Sequence, residues 1–341
     1  MSITIKDIAL RCNVSAVTVS NALNGTGRVS EEKRQEILQV ADELGYIPNR
    51  NARNLVKRVN GRIGLFVPSA EYLKGSAFFN NFLAGMLSEL ANNAHDLVLA
   101  LDSFEESGGA LDPLDVDGAI FLHPQLDDQF YSVLQDLRIP CLLIGRPQSK
   151  YENELHYVDI DNVALAYNTA KKLLEAGHKN NLVILGSKQL TNTEDHLRGI
   201  RTIYAEYGLA LDDSRILFLD YDLRTDYAMV EEFLQRYPDT TGIITDSDTQ
   251  ALGLLYHLRK ISCRVPEDFS VVCCSGTYQT ELCYPPITGT TNPSYAIGVE
   301  AAHKIVDIIE RKIISPSHTM IGFSIFNGKS VAPPRQHSLF E

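Results

Sequence analysis

The chain has 341 residues, of which 44% are apolar, and a formal net charge of -12. This length and apolar content predict two or more domains with well-filled cores. An acidic chain is a poor candidate for binding nucleic acid over its whole surface. The charge is uneven, however, because residues 1–60 carry nine Lys or Arg against six Asp or Glu, which leaves -15 on the rest. Only the first sixty residues therefore suit phosphate binding.

Several protein classes are disfavoured by the motifs that the sequence lacks. No apolar run approaches the roughly 18 residues of a membrane span, and no secretion signal precedes Thr4, so a cytoplasmic protein is expected. The six cysteines lack the paired C-x-x-C spacing of zinc sites, so we predict no metal and no cofactor. The sequence contains no GxSxG, HExxH or P-loop motif, and an enzyme is not expected.

Residues 4–24 predict two short helices joined by a tight turn. Thr4 can cap the first helix, and Asp7 lies in its first turn, where the helix dipole favours a carboxylate. Asn13 falls in the turn, and Asn tolerates a left-handed backbone better than other side-chain-bearing residues. Ser15 is the expected cap of the second helix.

The second helix is predicted to turn Val19, Ala22 and Leu23 toward a core. The side chains left on its outer face are small or polar: Ala16, Val17, Thr18, Ser20 and Asn21. An exposed helix of this kind after a tight turn is typical of a helix-turn-helix recognition helix in a major groove. The plainer alternative is a small helical hairpin without a role in DNA binding.

A third helix is predicted to begin at Ser30 and to end at Gly45, so that a three-helix unit closes within the first fifty residues. Residues 46–58 follow, a segment rich in Arg and Asn in which Pro48 precedes a single exposed leucine, Leu55. About eight helix-prone residues are too few to form a stable helix alone in water, so this hinge is expected to fold only against DNA and its dimer mate.

The chain resembles the lactose-repressor/galactose-repressor (LacI/GalR) family of transcriptional regulators over nearly its whole length. Matching motifs lie at residues 4–9, 14–25, 29–32 and 44–55, and later at 63–68, 117–121, 158–162, 251–253, 264–272 and 285–288. The resemblance implies a helix-turn-helix headpiece over residues 1–47, a hinge over 48–60, and an effector-binding and dimerisation domain over 61–335.

From residue 61 short apolar segments alternate with amphipathic helices, which predicts parallel sheets covered by helices on both faces. Strands are predicted at residues 62–68, 97–101, 118–122, 141–145, 182–186, 242–246 and 270–274. The resemblance implies a two-lobed α/β domain of the periplasmic-binding-protein-like type. It assigns residues 61–160 and 291–320 to an N-lobe, and 161–290 and 321–335 to a C-lobe with a last strand at 322–327. Ligands bind beyond the carboxyl ends of such strands, so the cleft between the lobes is the expected effector pocket.

The predicted effector pocket departs from the family pattern. The resemblance places these residues in it: Phe78, Phe79, His123, His196, Tyr227, Ser247, Asp248 and Ser275. His196 stands where many sugar-responsive members carry Arg, with Arg198 pointing elsewhere, and Ser275 stands where an Asp often binds hydroxyls. Because Arg and carboxylate are the usual groups that hold a polyol, we expect an effector smaller or less hydroxyl-rich than a hexose. A nucleobase or nucleoside is a candidate beside a sugar or related metabolite; the alternative is a solvated His196 in a pocket without function.

The resemblance also divides the predicted DNA contacts by role. Ala16, Val17 and Asn21 are expected to read bases, with Asn21 suited to adenine and the two apolar side chains to thymine methyls. Leu55 is expected to enter the minor groove as a wedge. Phosphate contacts are expected from Thr4, Ser15, Thr18, Ser20, Asn24 and Ser30, and Asn49 and Arg53 complete the predicted DNA-binding set. The alternatives are a phosphate or solvent role for Asn21 and a core position for Leu55.

Together these features predict a repressor, associated with the nucleoid, that binds a palindromic operator as a homodimer under the control of a small-molecule effector. The alternative is a two-lobed solute-binding protein of a transport system. Residues 102–116 are shorter than in most relatives and broken by glycine and proline, which predicts a loop or single turn and an altered dimer interface nearby. No heptad tail follows Pro334, so a tetramer built on a coiled coil is not expected.

Overall fold

A computed structural model describes residues 3–25, 27–46, 61–69, 72–73, 76–91, 95–101, 116–219 and 228–336. The chain divides into two compact units, Met1–Val59 and Asn60–Glu341. None of the helices in the described ranges is long and apolar enough to cross a membrane.

The described part of the first unit contains three helices: α1 Ile5–Arg11, α2 Ala16–Asn24 and α3 Glu31–Glu43. The predicted capping residues occupy the expected places. The backbone N–H and the hydroxyl of Thr4 both donate to the Asp7 carboxylate, at 2.8 and 2.7 Å. The Ser15 hydroxyl accepts the N–H of Thr18 at 3.0 Å. Each contact provides a partner for a polar group at a helix N-terminus, which fixes where α1 and α2 begin.

Left-handed residues end the helical segments of this unit where the sequence predicts. Asn13, in the turn between α1 and α2, has φ +51°, and Gly45, after α3, has φ +64°. The three helices then enclose a small core centred on Ile8, Val19 and Ile37, each fully buried.

The second unit contains twelve strands in the described ranges. They are β1 Arg62–Val67, β2 Asp96–Leu101, β3 Gly118–Leu122, β4 Cys141–Ile144, β5 His156–Ile160, β6 Asn181–Leu185, β7 Ile216–Phe218, β8 Gly242–Ser247, β9 Ser270–Gly276, β10 Thr288–Thr291, β11 His318–Ile321 and β12 Ser324–Phe326. All seven internal strands predicted from apolar runs are present, and the predicted last strand is β12.

These strands form two six-stranded sheets, and each sheet is the centre of one lobe. The first has the order β11-β5-β4-β3-β1-β2 and is parallel throughout. The second has the order β12-β10-β9-β8-β6-β7, in which only β12 runs antiparallel to its neighbour. The chain therefore crosses between the lobes three times: after β5, after β10 and after β11.

Helices cover both sheets. They are α4 Ala77–Leu90, α5 Asp128–Asp136, α6 Asn162–Ala176, α7 Thr191–Glu206, α8 Ala228–Arg236, α9 Asp248–Lys260, α10 Tyr278–Leu282 and α11 Ser294–Ile309. On the first lobe, α4 and α11 pack closely because each presents a glycine to the backbone of the other. A Cβ atom on Gly85 would overlap the carbonyl oxygen of Tyr295, and one on Gly298 would overlap that of Phe82.

Candidate functional site

The outer face of α2 carries the side chains predicted to read DNA. Ala16 is exposed, and Val17 is 68% exposed. Thr18, Ser20 and Asn21 are half-buried. Since Val19 and Ala22 are buried as predicted, the outward face of the helix is the one that the sequence indicated.

The Asn21 carboxamide has a defined surrounding. A Cβ atom placed on Gly27 would lie 2.7 Å from Asn21 Nδ2, so the amide lies directly against this glycine. Gly27 has φ +72°, a backbone conformation that glycine adopts without strain. The loop after α2 therefore limits where the Asn21 amide can point.

Three predicted phosphate-binding residues are the N-caps of the three helices: Thr4, Ser15 and Ser30. Helix N-termini present free N–H groups and favour anions. The hydroxyl of Thr4, however, donates a hydrogen bond to the Asp7 carboxylate, so a negative charge already lies at the N-terminus of α1. The Asn24 side chain lies outside the described residues, as do three whole predicted DNA contacts: Asn49, Arg53 and Leu55.

The second unit contains a cleft between the two sheets, which encloses about 860 Å³ including its open mouth. On the first-lobe side its wall is aromatic, made by Tyr72, Phe78 and His123. The Tyr72 hydroxyl and His123 Nε2 are hydrogen-bonded at 2.7 Å, and the Phe78 and His123 rings lie 6.0 Å apart. Burial lowers the pKa of His123 to about 4, so this imidazole is neutral near pH 7.

The opposite wall is polar and comes from the second lobe. Ser247 caps α9, where its hydroxyl accepts a backbone N–H. Asp248 is buried, and its carboxylate accepts from the Thr277 hydroxyl at 2.6 Å and from the Thr249 N–H at 2.7 Å. Burial raises the pKa of Asp248. Most of the hydrogen bonds that this carboxylate can accept are therefore already made within the protein.

Two asparagines leave acceptors without partners in the cleft. The Asn292 amide donates to the Ser275 hydroxyl at 2.7 Å, but Asn292 Oδ1 is buried and has no hydrogen-bond partner among the described residues. The same holds for Asn192 Oδ1. Both residues line the cleft. Because buried acceptors are nearly always satisfied, these two oxygens indicate where donors of a bound molecule would lie.

His196 lies at the floor of the cleft and is 1% exposed, so the alternative of a solvated His196 is wrong. Its Nδ1 is paired with the buried carboxylate of Asp246, and its Nε2 lies 3.2 Å from Asn162 Oδ1. The amide of Asn162 donates to Asp159 at 3.0 Å, which turns the Asn162 oxygen toward the imidazole. Both ring nitrogens must then be donors.

The charge of His196 follows from this arrangement. Burial lowers the pKa of His196, but the charge and the hydrogen bond of Asp246, together with the charges of Asp195 and Asp159, outweigh burial and raise it. The surroundings therefore favour the imidazolium form, with Nδ1 held by Asp246 and Nε2 facing Asn162, so neither nitrogen is left for a ligand.

Comparisons with known proteins agree with both units. The family of bacterial regulatory proteins of the lacI type matches residues 4–49, and the periplasmic binding protein-like domain matches residues 170–331. The regulator CelR of Thermobifida fusca is 30% identical over 92% of this chain and 94% of its own length. The chain belongs to the LacI family of transcriptional regulators.

Other members of the LacI family are similar over the same extent. The repressor CytR of Escherichia coli K12 is 28% identical over 97% of both chains. Among solved structures, a CelR–cellobiose complex is 28% identical, covers 96% of this chain and 99% of its own, and has a TM-score of 0.73. A lac repressor dimer bound to operator and the anti-inducer ONPF has a TM-score of 0.77 at 19% identity, which shows the shared fold.

Six predicted effector residues of this LacI-family protein line one cleft: Phe78, His123, His196, Ser247, Asp248 and Ser275. Phe79 is not among the lining residues, because its side chain is buried in the core, with its ring 6.0 Å from Tyr72. Tyr227 lies outside the described residues, as do residues 102–115 of the shortened segment.

Several residues that line the cleft are not among the predicted effector residues, among them Tyr72, Asn162, Asn192, Asp246 and Asn292. Asn162 and Asp246 stand where a predicted strand or a family motif ends, so position alone could have indicated them. Asn192 carries no comparable signal.

Proposed function

We propose that this regulator is a repressor that binds a palindromic operator as a homodimer and responds to a small uncharged effector in the interlobe cleft. The observation that carries the proposal is the outward face of α2, where Val17 is 68% exposed. Apolar contact of this kind suits a thymine methyl in the major groove. A transport solute-binding protein would not account for the lacI-type headpiece at residues 4–49.

Exposed apolar side chains on the second lobe support a homodimer. Tyr256 on α9, Leu282 on α10 and Tyr284 just beyond it are 74%, 80% and 81% exposed. Arg259 on α9 donates to the Tyr284 carbonyl at 3.4 Å, so these elements adjoin. A contiguous exposed apolar patch is typical of a protein interface, and a two-fold dimer matches a palindromic site. The lac repressor structure of the same fold is a dimer on its operator.

The hinge completes this proposal. Asn49, Arg53 and Leu55 are assigned to the operator by resemblance, with Leu55 as the minor-groove wedge. The lobes control the spacing of two hinges, and hence whether both fold on DNA. An effector that prefers one lobe arrangement by a few kcal/mol would change operator occupancy by orders of magnitude.

Selection of binding sites from random DNA tests operator recognition. We expect the wild-type protein to select a palindrome rich in A·T contacts, and Asn21→Arg to shift one symmetric pair of positions from adenine toward guanine, because Arg reads guanine O6 and N7. Gln39→Arg is the matched control, since it adds the same charge on the exposed side of α3. An identical consensus from all three proteins would remove Asn21 from base reading, and the absence of any consensus would refute operator binding.

The cleft supports an uncharged effector with one apolar face. The aromatic wall suits stacking against an apolar ring face, and Asn192 Oδ1 and Asn292 Oδ1 can each accept a hydrogen bond from a ligand. The charge of His196 is already neutralised by Asp246. The charged lining residues of the described cleft leave no cation free for a phosphate. A carbohydrate meets these requirements, in line with the CelR–cellobiose complex, and so does a nucleoside.

Thermal-shift titration with matched ligand pairs tests this charge preference. Two pairs serve as probes: glucose with glucose 6-phosphate, and adenosine with its monophosphate. For the pair whose ring the cleft binds, we expect the neutral member to raise the Tm more than the phosphorylated member. Cellobiose is a further neutral probe. Asn192→Ala should reduce the shift, because the neutral ligand loses an acceptor. A larger shift with the phosphorylated member would contradict the proposal.

A further inference from the structure

An ion pair links the two lobes at the rim of the cleft. Arg146 follows β4 of the first lobe, and Asp195 lies on α7 of the second. Arg146 Nε donates to Asp195 Oδ2 at 3.0 Å, and Nη2 donates to Oδ1 at 2.9 Å. The two side chains are 14% and 5% exposed. The contact is therefore bidentate and largely removed from water, which is the strong geometry for this pair.

Backbone contacts join the lobes at the same rim. The N–H of Leu126 donates to the Gln189 carbonyl at 2.6 Å, and the N–H of Thr191 donates to the Pro124 carbonyl at 3.2 Å. Gln125 and Leu190 form an isolated antiparallel bridge between these two bonds. Segments 124–126 and 189–191 thus pair like two short strands, one from each lobe.

The ion pair is also connected to the floor of the cleft. The backbone N–H of Arg146 donates to Asp159 at 2.8 Å, and the same carboxylate holds Asn162, which faces His196. Asp195 precedes His196 on α7. A ligand that shifts the floor residues would therefore act directly on both partners of the rim contact.

We propose that Arg146 and Asp195 form a clasp that keeps the lobes closed over the effector cleft and that must break for the lobes to open. The desolvation of two buried charges largely offsets their attraction, so a complete pair makes closure reversible. Removal of one partner deprives the other charge of its bidentate contact in the closed arrangement alone and so penalises that arrangement, although Asp195 keeps Arg198 at 2.8 Å and Arg146 keeps Glu194 at 3.6 Å. The clasp rests on the proposed function only in taking the cleft as the effector site.

Disulfide trapping in the full chain tests the clasp without any ligand or DNA. Partners in an antiparallel bridge have Cα atoms about 4.5 to 5.5 Å apart, within the range that a disulfide spans. We expect Gln125→Cys with Leu190→Cys to cross-link readily under mild oxidation, with the bond identified by peptide mass spectrometry. Adding Arg146→Gln or Asp195→Asn should slow cross-linking about tenfold.

Arg198 provides the matched control. It donates to Asp195 Oδ1 at 2.8 Å but lies on the same helix, α7, so Arg198→Gln removes an Asp195 partner without touching the interlobe contact. We expect its cross-linking rate to stay close to that of the parent pair. Arg146→Lys keeps the charge and loses the two-pronged geometry, and it should give an intermediate rate even if a neutral variant fails to fold.

The outcomes separate the clasp from the proposed function. Equal rates in the Arg146, Asp195 and Arg198 variants would refute the clasp and leave operator binding as it stands. Slowed trapping in a protein that selects no operator would support the clasp and overturn the proposed function.

Discussion

Asp246→Asn is expected to destabilise the two-lobed unit by about 3 to 5 kcal/mol, because it leaves the His196 imidazolium buried without its counter-ion. The same carboxylate also accepts the Gly186 N–H at 3.0 Å, and the substitution weakens this bond between β6 and β8. Urea unfolding followed by circular dichroism measures the loss. Asp239→Asn is the control, since its ion pair with Arg215 is half-exposed and is expected to contribute about 1 kcal/mol or less.

The cost of Asp246→Asn should depend on pH in one direction. The pKa of His196 is raised in the folded protein, so the stabilisation by its partner is fully present below the unfolded pKa of about 6.5. It is lost as the pH rises through the folded pKa. The difference between wild type and variant should therefore shrink in alkaline solution. A difference that grows with pH would contradict the assignment of an imidazolium.

Gly298→Ala is expected to cost about 3 kcal/mol, the upper part of the usual range for overpacking. The added Cβ would overlap the Phe82 carbonyl oxygen, which belongs to the backbone of α4 and cannot rotate away. The two helices would have to separate, and the apolar contacts beneath them would loosen. Gly85→Ala, the reciprocal change on α4, should cost a similar amount.

Gly322→Ala is the control for this pair, because no heavy atom lies within 4 Å of its added Cβ. Its effect should stay within about 0.5 kcal/mol, as for ordinary surface substitutions. Thermal and urea unfolding of the three variants measure the contrast. If Gly298→Ala and Gly322→Ala have the same Tm and the same free energy of unfolding, close backbone packing at this helix crossing does not limit stability.

The local pattern of apolar residues predicts most of the strands, but it does not predict strands that lack such a pattern. Strands such as β3 and β6 are continuous apolar runs buried on both faces, the signal of a central parallel strand. By contrast, β10 reads Thr-Gly-Thr-Thr and has no apolar period. Its strand conformation depends on pairing with β9, which precedes it, and with β12, which follows only after a long helix and β11. Tertiary pairing overrides propensity there.

The cleft divides in the same way. Residues at strand ends, such as Ser247 and Ser275, could be placed by resemblance and by the rule that ligands bind beyond carboxyl ends of strands. The pairing of His196 with Asp246 could not be predicted, because the two residues are 50 positions apart and the Asp246 carboxylate is directed by the packing of β8 against β6. The ion pair between Arg146 and Asp195, which are 49 positions apart, could not be predicted for the same reason.

The order of strands in the first sheet determines how late in translation that sheet can be completed. Its edge position beside β5 belongs to β11, which the ribosome makes about 160 residues later. At 5–20 residues per second this interval lasts roughly 10 to 30 s. During this interval the edge of β5 has no partner strand, and the glycine face of α4 stays uncovered until α11 is made. The lobe begun first is thus finished nearly last, and the nascent chain needs protection from wrong strand pairing for about half of its translation.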